Sequence, residues 1–230
     1  MKRFWKVTTV AAVEGGHEVR LDEKPIRTPG KAPLILPTSG LAEAMAAEWD
    51  AQVEQVNPAA MPITRAANTA IDRVSAAKAH VVDELAGYGE TDLLCYRASH
   101  PEALVDRQAA LWDPLLDWAD ATFGARLVPA NGVMYTPQDP NAVRRLRAPL
   151  EAADAWQLTA LHELVTLSGS LVIALATARG HLGPEEAWST SRVDEEWNIA
   201  EWGEDAEAAA QAAKRKSAFH SAARILGLLG

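Results

Sequence analysis

The chain has 230 residues and a mass of 24.7 kDa, carries 22 Lys and Arg against 31 Asp and Glu, and is 48% apolar. A net charge of −9 repels phosphate backbones and excludes a general nucleic-acid binder; the single cysteine, Cys95, excludes a disulfide scaffold and fits a reducing compartment. The composition is that of an ordinary globular protein, not of a disordered tail or a collagen-like rod.

The start, Met1-Lys2-Arg3, runs into Lys6 and two threonines instead of an apolar stretch. It reads as neither signal nor transit peptide, so a cytoplasmic location is expected. Residues 4–13 are rich in aromatic and β-branched side chains, Gly15-Gly16 supplies a turn, and residues 17–21 alternate with Val19 and Leu21 on one face. Asp22-Glu23 makes a second turn into residues 24–27, which Pro25 confines to an edge or a strand end, and Pro33 and Pro37 bracket Leu34-Ile35-Leu36. These runs predict a small antiparallel sheet.

After Pro37 the apolar period changes from two to about 3.6. Thr38 or Ser39 caps a predicted helix with Leu41, Met45, Trp49 and Val53 four apart, ended by Asn57-Pro58. Ile63, Ala67, Ala70, Ile71 and Val74 mark a second helix, and Val81, Val82 and Leu85 a third that stops at Gly87 and Gly89. Pro101 opens a fourth, with Leu104, Leu111, Leu115 and Trp118 on its stripe, Pro114 as a kink or restart, and Gly124 at its end. Residues 125–138 read as a connector with one short strand. Asp139-Pro140 reads as a cap and first helical residue, and a long helical pattern then runs over 155–178 to Gly180 and Gly183. Its most apolar part, 164–178, is too short for a membrane span and carries Thr166, Ser168, Ser170 and Thr177, so no membrane insertion is expected. Pro184 with Glu185 and Glu186 starts another helix, and 204–229 reads as an Ala-rich helix, acidic at its beginning and basic at Lys214, Arg215 and Lys216. The expected fold class is α+β: a small β-rich N-terminal domain with flanking helices over 1–74, followed by a larger all-helical domain over 75–230.

Catalytic and metal motifs are fragmentary. His162-Glu163 opens like a zinc-protease helix, but the second histidine is replaced by Thr166, and no two of the six histidines stand four apart. Ser75 and Lys78 match SxxK without its companion motifs, Ser168-Gly169-Ser170 lacks the glycines of a nucleophile elbow, and Cys95 between Leu94 and Tyr96 reads as core. No Walker loop or GxGxxG occurs. No catalytic residue, metal site or cofactor is therefore expected.

Two features stand out. Tryptophan is over-represented, with 8 Trp against 3 Tyr and 3 Phe. Trp49, Trp112, Trp118 and Trp156 fall on apolar stripes and read as core, whereas Trp188, Trp197 and Trp202 lie among charges. Residues 191–207, SRVDEEWNIAEWGEDAE, carry Arg192 against Asp194, Glu195, Glu196, Glu201, Glu204, Asp205 and Glu207, a net −6 that is two-thirds of the chain's total. A solvated helix face explains a charge run alone; tryptophans interleaved with the acids point to a docking surface, apolar anchors inside a charged rim that steers a basic partner.

Several blocks, in order, carry a resemblance: LDEKPIRTP (21–29), EWDAQ (48–52), MPITRAANTAIDRV (61–74), LLCYRA (93–98), WDPLLDWA (112–119), SGSLVIALA (168–176) and SRVDEEW with EWG (191–203). Together they resemble the assembly chaperones for the α subunit of the ATP synthase catalytic sector, the Atp-twelve family. The resemblance implies a non-enzymatic chaperone with a β-containing N-terminal domain and a helical C-terminal domain. It implies binding of the unassembled α subunit until the β subunit replaces it; separately, the chain is expected to be a monomer. Because the chain begins directly at the first family strand, it is similar to a bacterial, cytosolic member. The tail after Glu207 matches no motif of the family. The expected partner contact is Asp194, Glu195, Glu196, Trp197, Glu201 and Trp202. Three other readings stand beside it. EWDAQ and MPITRAANTAIDRV hold domains together, with Arg65 and Asn68 as buried hydrogen-bonding residues; Arg97 pairs with the acidic segment, making Glu195 or Glu196 structural; or the chain is a helical enzyme using Asp194 and Glu196 as acid and base.

Overall fold

A computed structural model describes residues 2–132 and 134–230. Strands β1 (Thr8–Val13) and β2 (Gly16–Leu21) form an antiparallel hairpin in which Val10 faces Val19. Strands β3 (Lys24–Pro25) and β4 (Ile35–Leu36) both pair antiparallel with β2, so Pro25 sits at an edge as its missing N–H requires. Helix α1 (Ser39–Asp50) is capped by Thr38, whose Oγ1 accepts the Leu41 N–H at 3.2 Å, and it buries Leu41, Met45 and Trp49. Val53 lies past its end and is exposed, so the fourth residue of the predicted stripe does not join the core. The helix stops early because Gln52 turns back on it, its Nε2 donating to Glu48 O at 2.9 Å and its Oε1 accepting Asn57 N–H at 2.7 Å.

The second and third predicted helices follow one another without a loop, parted by a kink at Ala77, whose backbone (φ −115°, ψ 20°) is not helical. Helix α2 (Pro62–Thr69) passes through a π turn (Ala70–Val74) into α3 (Ser75–Gly87). Ile63, Ala67, Ala70 and Val74, spaced as on one face of a helix, are all buried. Strand β5 (Tyr96–Arg97) pairs in parallel with β6 (Ala130–Asn131), the one short strand expected in the connector. Between them runs α4 (Glu102–Phe123), with Pro114 inside it and Gly124 after it. It buries Gln108, Trp112, Leu115, Leu116 and Ala119, while Leu111 is exposed and Trp118 is half-buried against a stacked His181 ring.

Helix α5 (Pro140–Ala152) starts at the Asp139 cap. The long pattern over 155–178 is two helices, α6 (Ala155–Ser168) and α7 (Leu171–Ala178). Gly169 at φ +73° makes the break, its carbonyl accepts Leu93 N–H at 3.0 Å, and Ser170 caps α7. Asp92 is wholly buried at this junction, accepting N–H bonds from Leu94 at 3.1 Å and Val172 at 3.1 Å. Burial pushes its carboxyl up to about 6 against those hydrogen bonds, and burial pushes the neighbouring Cys95 thiol up to about 12, which makes it an inert core group. Helices α8 (Pro184–Thr190), α9 (Val193–Trp202) and α10 (Ala206–Leu229) complete the chain.

The strand region followed by a mainly helical remainder is an α+β fold. The chain divides into two compact units. Unit 1 is Met1–Lys78 with Asp154–Ala160 and Arg224–Gly230; unit 2 is Ala79–Ala153 with Leu161–Ala223. The core of unit 1 is built from Trp5, Val19, Leu21, Leu36, Met45 and Ile63, and the late segments contribute Ala160 and Ile225 to it. Unit 2 centres on α7, buried from Leu171 to Thr177, and on Trp112 and Phe219, both fully buried. Among the described residues no helix is long and apolar enough to cross a membrane.

Candidate functional site

The acidic segment lies in unit 2 and is ordered by α4. Trp112 Nε1 donates to the carbonyl of Thr190, the last residue of α8, at 2.9 Å. One turn earlier on α4, the buried Gln108 accepts Ala98 N–H on Oε1 at 2.8 Å and donates from Nε2 to Asp194 Oδ1 at 2.6 Å. Beside it, Arg107 Nη2 donates to Glu196 Oε2 at 2.8 Å. The pairs 112 with 190, 108 with 194 and 107 with 196 run in opposite chain directions, so α9 lies antiparallel on α4. Glu195 is held by Arg192 of its own turn at 3.2 Å. Asp194, Glu195 and Glu196 fill the first turn of α9, where the helix dipole favours negative charge.

Arg97 does not reach this segment. Its guanidinium pairs with Asp113 at 2.7 Å, donates to Leu94 O at 2.7 Å and stacks over Trp112, so Arg107 takes the role that sequence reasoning offered to Arg97. Gln108 gave no signal, because a lone glutamine between apolar positions reads as a surface residue. The tryptophans divide. Trp188 is buried, with Arg192 over its ring at 5.5 Å and Phe219 beside it, which corrects its grouping with the charged-surface tryptophans. Trp197 is half-buried, and Trp202 is 86% exposed at the C-terminal end of α9, with Ile199 exposed one turn before it.

The far end of the helix has a different electrostatic character. Among the described residues, the side chains of Glu201 and Trp202 have no hydrogen-bond or ion-pair partner. Glu201 stands in the last turn, where the dipole disfavours a carboxylate. Gly203 then closes α9, and Asp205 caps α10 by accepting Ala208 N–H at 2.8 Å. The segment therefore carries one half tied into the fold and one half presenting an apolar ring and free acid to solvent. Such an arrangement can bind a polypeptide with basic groups around an apolar centre. Among the described residues, no three His, Cys, Asp or Glu side chains gather to hold a metal ion.

A sequence profile of the family described as ATP12 chaperone protein matches residues 2–120, more than half of the chain. The chain belongs to the ATP12 chaperone family. It is 49% identical to Atp12 from Paracoccus denitrificans, whose crystal structure superposes with a TM-score of 0.96 over 100% of this chain and 98% of that one. The Atu1473 protein of Agrobacterium tumefaciens is 44% identical, with a TM-score of 0.96 over 100% of this chain and 86% of that one. The mitochondrial protein atp12 of Schizosaccharomyces pombe is 26% identical over 217 residues, 88% of this chain and 74% of that protein. The ATP12 member described here is thus an assembly chaperone, nearer in sequence to these two bacterial proteins than to the yeast one. The profile match ends before α9, whereas the Paracoccus and Agrobacterium structures align over its whole length.

Proposed function

We propose that this chaperone binds the unassembled α subunit of the ATP synthase catalytic sector, holds it soluble, and releases it when the β subunit displaces it. It does so in the cytoplasm, as a monomer and without catalysis. A subunit destined for a ring exposes large apolar faces while it is alone, and these drive aggregation. Covering one face needs an apolar anchor; yielding it later needs a contact of moderate strength, with rim charge that speeds encounter more than it prolongs residence.

The contact surface is Asp194, Glu195, Glu196, Trp197, Glu201 and Trp202. The supporting observation is Trp202, 86% exposed beside the unpaired Glu201. An indole in water costs solvation free energy that only a partner removes, and Trp is a favoured anchor at interfaces. An enzyme using Asp194 and Glu196 as acid and base has less support, since Gln108 and Arg107 already engage both carboxylates.

The test is sedimentation of purified α subunit with and without the chaperone. The wild-type chain should keep it in the supernatant. A Glu201→Lys, Trp202→Ala double variant with unchanged thermal midpoint should lose about 2 kcal/mol of binding, roughly 30-fold in affinity. An Asp194→Lys, Glu196→Lys variant loses binding too, but with a lowered midpoint, because it also breaks the bonds to α4. Equal precipitation of α subunit with and without the wild-type chain would refute the proposal.

A further inference from the structure

Unit 1 contains a cleft of about 290 Å³ lined by Pro29, Arg65, Asn68, Thr69, Asp72 and Arg73. Its two walls are fastened together by one carboxylate. Asp72 Oδ1 accepts the Thr28 hydroxyl at 2.7 Å, and Asp72 Oδ2 accepts Gly30 N–H at 2.9 Å. A Cβ at Gly30 would meet Asp72 Oδ1 at 2.8 Å, so any larger residue there would displace the carboxylate. The loop is stiffened further by Thr28 Oγ1 accepting Ala32 N–H at 3.1 Å and by Arg27 donating to Lys31 O at 3.0 Å. The other wall is α2 and its π turn, which carries Asp72 and Arg73.

The two arginines of this cleft are exposed, and among the described residues neither has a hydrogen-bond or ion-pair partner, so Arg65 is not the buried bridging residue that sequence reasoning offers. Asn68 is half-buried, and its Oδ1 is covered yet accepts no hydrogen bond. Lys31 and Arg27 add positive charge on the loop. In a chain with a net charge of −9, this is a locally basic, preformed recess whose guanidinium forks are unused.

We propose that this cleft binds the carboxylate of an acidic side chain in an extended segment of the client polypeptide, with Arg65 and Arg73 supplying the guanidinium contacts. The proposal rests on the reading of the protein as a chaperone holding an unassembled subunit, and it gives that client a second contact opposite in sign to α9. Two features favour a peptide carboxylate over a phosphate. Asp72 fixes a negative charge in the wall, which a single carboxylate tolerates better than a dianion. Asn68 lines the cleft with an amide oxygen that accepts no hydrogen bond, and a peptide backbone carries an N–H beside its acidic side chain.

The full-length, ¹⁵N-labelled chain titrated with acetyl-Ala-Glu-Ala-amide tests the cleft directly, with the matching glutamine peptide and inorganic phosphate as comparison ligands. The expected result is saturable shifts at residues 28–32 and 65–73 with the glutamate peptide and none with the glutamine peptide. Arg65→Gln and Arg73→Gln should each weaken binding tenfold or more while leaving the remaining spectrum and the thermal midpoint unchanged. Absence of saturable shifts, unchanged binding by both variants, or phosphate binding as tightly as the glutamate peptide would overturn the proposal. The double arginine variant should also hold α subunit several-fold less well than wild type, and equal holding would overturn the client role of the cleft. If the wild-type chain fails to hold α subunit at all, the proposed client is wrong, while the peptide titration still decides what the cleft binds.

Discussion

The two halves of α9 carry the same residue types and serve opposite ends. In the first half, Asp194 and Glu196 are tied to Gln108 and Arg107, and the helix dipole welcomes them. In the second, Glu201 stands at the disfavoured end of the dipole and Trp202 is left in water. Acidity by itself therefore says little about contact with a partner. What separates the halves is whether the fold already uses the charge, and a side chain that is both unused and unfavourably placed is the stronger candidate for a function outside the chain.

That contrast can be broken most severely at the anchor. Trp112→Ala removes a fully buried indole and its bond to Thr190, and should cost about 3–5 kcal/mol in chemical denaturation. Next is the carboxylate that is most deeply enclosed. Asp92 titrates near 6 in the folded chain and near 3.8 unfolded, so its contribution is full below pH 3.8 and is lost as pH rises through 6. At about 1.4 kcal/mol per pKa unit, stability measured from pH 4 to 7 should carry a falling component that Asp92→Asn abolishes, and the carboxyl ¹³C resonance should titrate near 6. Gln108→Ala leaves Asp194 and the Ala98 N–H without their partner and should cost about 1–3 kcal/mol by the same denaturation measurement. Trp202→Ala sharpens the contrast from the other side: its midpoint should stay within about 0.5 kcal/mol of wild type while sedimentation shows client holding reduced.

The strand chemistry and the caps were legible because each rests on local signals: Gly15-Gly16 for the hairpin, Thr38 and Asp139 for helix starts, Pro184 for α8. The break at Gly169 was not, because Ser168-Gly169-Ser170 sits between apolar runs whose period continues across it, and only the tertiary bond from Leu93 N–H to Gly169 O shows why the chain turns there. The stripe on α4 was read through Leu111 and Trp118, whereas the buried side holds Gln108, Trp112 and Ala119. A glutamine satisfied by partners distant in sequence leaves no trace in a hydrophobic pattern. The acidic segment was visible from its charge density, but its division into used and unused halves depends on side chains 86 and 89 residues away. The basic cleft was hidden for the same reason, since Arg65 and Arg73 gain meaning only when Asp72 brings the loop at Gly30 against them.

The late segment that joins unit 1 has a bearing on how the protein is made. Ile225 enters the core beside the sheet, and the Thr38 hydroxyl at the start of α1 donates to Leu228 O at 2.7 Å. The core beside the hairpin is thus completed by a segment 190 residues further along the chain than Thr38. During synthesis the hairpin therefore keeps one side of its core open until residues 224–230 have emerged, and a molecule that shelters an unfinished subunit is itself unfinished until then.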